Sequence, residues 1–173
     1  MARTVGRTVA GPLLLLNFAM YLIVLALAGW ALNKFINGES HPYLAGNTAT
    51  QYFCLFSLLA GTVGIASMFS GGYHLRAWRN DSLAAAASTA LIAWLLTVLA
   101  FGLACKEIHI GHRGRRLKTL EAFIIILTFT QLLYLLLLHA GLVSSKYGPG
   151  YRDSEYTGGA TAEPHLKASA PAV

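Results

Sequence analysis

"GPLLLLNFAMYLIVLALAGWALNKF" (residues 11–35) can be read in two ways, and the fold turns on the choice. Arg3 and Arg7 precede it and Ala26-Leu27-Ala28 resembles a processing site, so one reading is a secretory signal peptide. The run continues past Ala28 to Phe35, however, which is longer than a signal core of ~7–15 residues. It reaches the ~20 residues a helix needs to cross ~30 Å of hydrocarbon. Pro12 stands near its start, where a missing N–H costs nothing. We read the stretch as a membrane-spanning helix.

Three further apolar runs follow, at 48–74, 82–105 and 120–142. Only 12% of the 173 residues are charged, against about 25% in a soluble domain, and most of that charge lies outside the four runs. With no water in the bilayer, each run must satisfy its own backbone, which makes it a helix. The expected fold is an all-α integral membrane protein with four transmembrane helices in an antiparallel bundle. A short tail (1–10) precedes it, and a Gly-, Pro-, Ser- and Thr-rich tail (143–173) that is expected to be disordered follows. The segment 37–47 is rich in turn residues and reads as a short loop.

Small residues recur at steps of three and four in the second run: Ser57, Ala60, Gly61, Gly64, Ser67 and Gly71. The third run has Ala86, Ala90, Ala93, Thr97, Ala100 and Ala104. Such faces let backbones approach closely in a membrane, so Gly61, Gly64, Gly71, Ala90, Ala93, Thr97 and Ala100 are expected helix-packing residues. The few residues between these runs force an antiparallel pair, with Asp81 placed to cap the third helix. The fourth run is bulkier and is expected to be the most lipid-exposed, with Gln131 and His139 as its polar exceptions.

Charge leaves orientation balanced. Arg3, Arg7, Arg76, Arg79, Lys146 and Arg152 would lie on the side of the termini; Lys34, Lys106, Arg113, Arg115, Arg116 and Lys118 would lie opposite. Two Arg before the first helix and one Lys after it favour cytoplasmic termini. The basic segment "KEIHIGHRGRRLKTLE" (106–121) then faces outward; in the opposite orientation it is a cytosolic anchor for anionic headgroups.

No P-loop, HExxH, GxSxG or paired-Cys pattern is present, so no enzyme, cofactor or nucleic-acid role is expected. His109 and His112 are three apart with Glu107 nearby, but the surrounding Arg113, Arg115 and Arg116 disfavour a bound cation. Cys54 and Cys105 fall in or at the edge of spans and are expected to be packing residues. Asn80-Asp81-Ser82 is a glycosylation sequon abutting a helix start, and is expected to be unmodified.

The strings "GPLLLLNFAMYLIVLALAGWALNKFING", "GNTAT", "HLRAWRNDSLAAAAS", "LIAWLLTVLAFGLACKEIHIG", "RGRRLKTLEAF" and "LTFTQLLYLLLLHAG" resemble the plant AWPM-19-like (PM19-like) membrane proteins over about residues 10 to 141. The resemblance implies a small four-span plasma-membrane protein associated with abscisic acid, seed maturation and tolerance of drying or cold. It also implies, less directly, uptake of abscisic acid.

A carrier for such a weak acid would offer cations near helix ends, an apolar or aromatic cleft and hydrogen-bond donors. Candidate ligand-binding residues are Arg76 with Trp78 at one end, Lys106 and Arg116 at the other, and Asn17, Gln131 and Tyr134 within the spans. Each also has a structural reading. Asn17 and Gln131 can bond across helices, Arg76 can reach for headgroups, and Glu107 can pair with Lys106 or the basic segment. Three functions therefore remain: a carrier for abscisic acid or a similar weak acid, a non-transporting stabiliser of the plasma membrane, and an accessory subunit. Expected partners are membrane lipids, such a weak acid and, in a homo-oligomer, further copies of the chain.

Overall fold

A computed structural model describes residues 5–38, 48–77, 79–111 and 114–143. They form four helices: α1 (Val5–Ile36), α2 (Thr48–Ala77), α3 (Asn80–Ile110) and α4 (Arg115–Val143). All four are long and apolar enough to cross a membrane. The expected all-α, four-span antiparallel bundle is what the chain forms. Each helix outruns its apolar stretch, and α1 begins at Val5, inside the tail expected at 1–10. Most of the loop expected at 37–47 and the tail beyond 143 lie outside the described residues.

The helices pack as a ring in which α1 touches α2 and α4, and α3 touches the same two; the α2–α3 contact is the most extensive. The N-terminus of α1, the α2–α3 turn and the C-terminus of α4 share one end, called here the tail end. The C-terminus of α1, the N-terminus of α2 and the α3–α4 turn share the other, the loop end.

Local chemistry sets the helix limits. Gly111 (φ 76°) closes α3 by donating its N–H to the Glu107 carbonyl at 3.2 Å, in a conformation that favours glycine. At the start of α3, Arg79 is extended, and the Ser82 hydroxyl accepts its N–H at 3.3 Å and donates to its carbonyl at 2.8 Å. Ser82 therefore ties the first turn, and Asp81, expected as the cap, instead stands exposed 3.9 Å from the Arg79 guanidinium.

The two small-residue faces turn inward. Ala86, Ala90, Ala93, Thr97, Ala100 and Ala104 are fully buried, as are Ser57, Ala60 and Ser67, with Gly61, Gly64 and Gly71 beside them. The glycines, however, serve partners other than α3. Gly61 lies against Leu25 and the Tyr21 carbonyl of α1, Gly64 against the Tyr21 ring, and Gly71 against Leu14 and the Tyr134 hydroxyl of α4. Two buried tyrosines thus enter the core from α1 and α4 and lie over bare glycine backbone on α2. Tyr21 continues across the ring to Thr97 of α3, with 3.1 Å between hydroxyls.

One expectation is overturned. The least covered helix is α1, with 28% of its spanning window buried, whereas α4 matches α3 at 39%. The fourth run looked lipid-facing because it is bulky. Yet its Leu117, Leu120, Glu121, Ile124, Leu127, Gln131, Tyr134 and Leu138 recur at steps of three and four and fill the core.

Close approach at Gly64 can be tested against an open glycine. A Cβ at Gly64 would collide with the Tyr21 ring, whereas one at Gly72 meets nothing. Gly64→Ala should lose about 1–3 kcal/mol through overpacking. Gly72→Ala should gain up to about 1 kcal/mol from helix propensity. Melting of the purified protein in detergent measures both, and equal behaviour of the two variants would refute the contact.

Candidate functional site

A polar side chain in hydrocarbon is costly unless it turns inward and finds a partner, so the polar residues of this bundle collect along its axis. At the loop end, Glu107 is 1% exposed and accepts a hydrogen bond of 2.7 Å from the Thr50 hydroxyl of α2. Glu121, on the second turn of α4, is 3% exposed, and Cys54 is buried one turn along α2 from Thr50. Two carboxyl groups thus lie inside the bundle wall near one end.

In the middle, Thr97 donates to the Ala93 carbonyl at 2.8 Å and so accepts from the Tyr21 hydroxyl. One level toward the tail end, Asn17 Nδ2 donates to Gln131 Oε1 at 3.0 Å. Gln131 Nε2 in turn reaches the Ala90 carbonyl at 3.5 Å, so one side chain of α4 holds both α1 and α3. Trp94 Nε1 adds a bond of 3.2 Å to the Thr128 carbonyl, tying α3 to α4 again. At the tail end, His74 is buried with Nδ1 2.9 Å from the Ser82 hydroxyl. Ser82 already spends its proton on the Arg79 carbonyl, so the imidazole is the donor. Buried polar groups therefore recur at levels along a column from Glu107 to His74, with the apolar Ala100 and Ala104 between the loop-end and middle levels.

Outside the column, the basic residues form a rim at the loop end. Lys106, Arg115, Arg116 and Lys118 are exposed. The Arg116 guanidinium sits 4.1 Å above the centre of the Trp30 ring, which fixes the start of α4 against the end of α1. An open groove of about 420 Å³ lies nearby between α1 and α2, lined by Leu32, Phe35, Ile36, Gln51, Tyr52 and Leu55. A smaller one of about 310 Å³ lies at the tail end beside Tyr73, Arg79 and Asp81.

The expected ligand-binding residues thus fall in three places. Arg76 is exposed at the tail end, Lys106 and Arg116 are exposed at the loop end, and Asn17, Gln131 and Tyr134 are buried between them. Trp78 is outside the described residues. The structure brings Asn17 and Gln131 into contact and keeps the cations of the two ends apart. Glu107, expected to pair with Lys106 or the basic segment, accepts from Thr50 within the bundle, and Lys106 is exposed, while Arg113 of that segment lies outside the described residues. Cys105 is exposed on α3 and does not pack in the core. Among the described residues, no three His, Cys, Asp or Glu side chains converge as metal ligands.

Sequence reasoning passed over Glu107, Glu121, Tyr21, Thr50 and His74 as parts of one column. The signal was present as spacing. Glu107 continues the α3 stripe one turn beyond Ala104, and His74 continues the α2 stripe one turn beyond Gly71. Continuing each stripe into the polar ends of the helices would have found both.

The AWPM-19-like family model matches residues 15–141. The chain is 57% identical over 170 residues to "Membrane protein PM19L" of Oryza sativa subsp. japonica, with 97% of each chain covered. No solved structure matches it significantly.

The Asn17–Gln131 bond should show coupling of about 0.6–2 kcal/mol in a double-mutant cycle with Asn17→Leu and Gln131→Leu. Reversible unfolding in mixed micelles supplies the measurement; strict additivity would mean the bond contributes nothing.

Proposed function

The chain belongs to the AWPM-19-like family, and we propose that it is a plasma-membrane facilitator for uptake of a weak acid, abscisic acid or a compound like it. The observation that carries this reading is the polar column, which begins at a buried carboxyl group and ends at a buried imidazole. Ionisable side chains inside a membrane span are expensive to keep and are expected to serve a path. A weak acid crosses hydrocarbon far more cheaply as the neutral acid than as the anion, so its movement needs groups that can hold a proton. In this reading the rim of Lys106, Arg115, Arg116 and Lys118 gathers the anion by its charge. Glu107 and His74 handle protons at the two ends, and Arg76 meets the acid at the tail end. The termini are cytoplasmic, so the rim faces outward, and neither an enzymatic step nor a cofactor is involved.

One observation favours a second reading. Tyr21 and Tyr134 close tightly over Gly64 and Gly71, so the middle of the single bundle is packed. A stabiliser of the plasma membrane under drying or cold would need a rigid bundle of this kind and no passage. Facilitation, by contrast, requires α1, the least covered helix, to move, or several copies to form the path together.

Uptake of radiolabelled abscisic acid into proteoliposomes separates the readings. A facilitator gives saturable uptake, faster with acid outside, that falls to near the empty-vesicle background in Glu107→Gln and weakens in Arg116→Ala. Uptake indistinguishable from empty vesicles with the wild-type protein would leave the stabiliser.

A further inference from the structure

Asn17 Oδ1, Ser67 Oγ and Tyr134 OH are buried and have no hydrogen-bond partner among the described residues. They come from α1, α2 and α4, and three contacts place them within about one helical turn of each other. Asn17 is bonded to Gln131, and Tyr134 is the next turn of α4 toward the tail end. The Tyr134 hydroxyl lies against Gly71 and Leu14. Ser67 is one turn from Gly71, and Leu14 is one turn from Asn17.

These atoms cannot all be satisfied from within. Asn17 Oδ1 only accepts, and the helix N–H groups around it are already used. The Tyr134 hydroxyl stands at the far end of a ring, out of reach of its own backbone. Ser67 alone has a local remedy, since a hydroxyl can turn onto the carbonyl four residues back, as Thr97 and Thr128 do. A polar group left unpaired in this setting costs free energy comparable to a lost hydrogen bond.

We propose that this level of the bundle is a binding site for one or two water molecules that bridge Asn17 Oδ1, Tyr134 OH and Ser67 Oγ. Water supplies the donor Asn17 needs, serves the tyrosine as donor or acceptor, and holds the serine off its own backbone. A buried water takes two to four polar partners, and three are offered here. Size favours it over a larger ligand. The lining from α2 and α3 is of small residues, Ser67, Gly71 and Ala90, with the tyrosine hydroxyl and Leu14 lying close over Gly71, so nothing larger than a water fits. The site lies one turn from His74, so the water joins the Asn17–Gln131 bond to the tail end of the column. It does not depend on whether the protein carries a weak acid.

The test is a sign. In a bridged cluster, Tyr134→Phe and Ser67→Ala each lower the melting temperature, and the double variant loses less than the sum. In a dry cluster, removing an unpaired hydroxyl leaves stability unchanged or raises it. Either that result or strict additivity would overturn the site. Phe keeps the ring and Ala keeps the helix, so both variants should fold. A second measurement needs no variant: magnetisation transfer from water to the Tyr134 ring protons in the selectively labelled wild-type protein. A cross-peak from long-lived water is expected, and its absence would equally sink the proposal.

Discussion

Helices in hydrocarbon gain little by hiding apolar surface from each other, because the lipid is as apolar as their own side chains. What remains to hold them is close contact, together with a few hydrogen bonds that lipid cannot replace. The approach of Tyr21 to Gly64 supplies the first, and the reach of Gln131 to Asn17 and the Ala90 carbonyl supplies the second. Both depend on side chains almost without volume. Ala90 brings its backbone near enough for Gln131, and Gly64 leaves the tyrosine ring a place to lie. The alanine and glycine faces of α2 and α3 are in this sense the condition for the polar column.

The column has a consistent chemistry along its length. Hydroxyl, amide and imidazole groups fill the middle and the tail end, and carboxyl groups are held near the loop end. Among the described residues, Lys106, Arg115, Arg116 and Lys118 are exposed. Arg116 is stacked on Trp30, and Lys106 is exposed although the glutamate that follows it is buried. These four cations thus lie where water and headgroups solvate them, while Glu107 and Glu121 are buried in the bundle. That separation gives the loop end a rim of exposed cations around two buried carboxyl groups.

Much of this was legible in the chain. The lengths of the apolar runs decided four spans, and the three-and-four spacing of Ala86 to Ala104 identified the inward face of α3. Glu107 continues that spacing but is passed over, because a charged residue beside Lys106 reads naturally as part of a solvated segment. The bulk of the fourth run misled for a related reason. Leu and Ile serve lipid and core equally, so composition could not reveal that Gln131 and Tyr134 turn the whole inner face of α4 toward its neighbours.

The number of helices, their antiparallel order and the residues small enough to sit between them follow from length and period, which are properties of one helix at a time. Which side chains meet is a matter of how the four helices pack. Gly64 receives Tyr21 from α1, Gly71 receives Tyr134 from α4, and Glu107 turns to Thr50 while its neighbour Lys106 faces out. The physical reason is that a hydrogen bond or a tight contact across a bundle depends on the rotation of two helices about their own axes. Those rotations are set jointly by all four helices, when every polar group in the hydrocarbon has to find a partner at once.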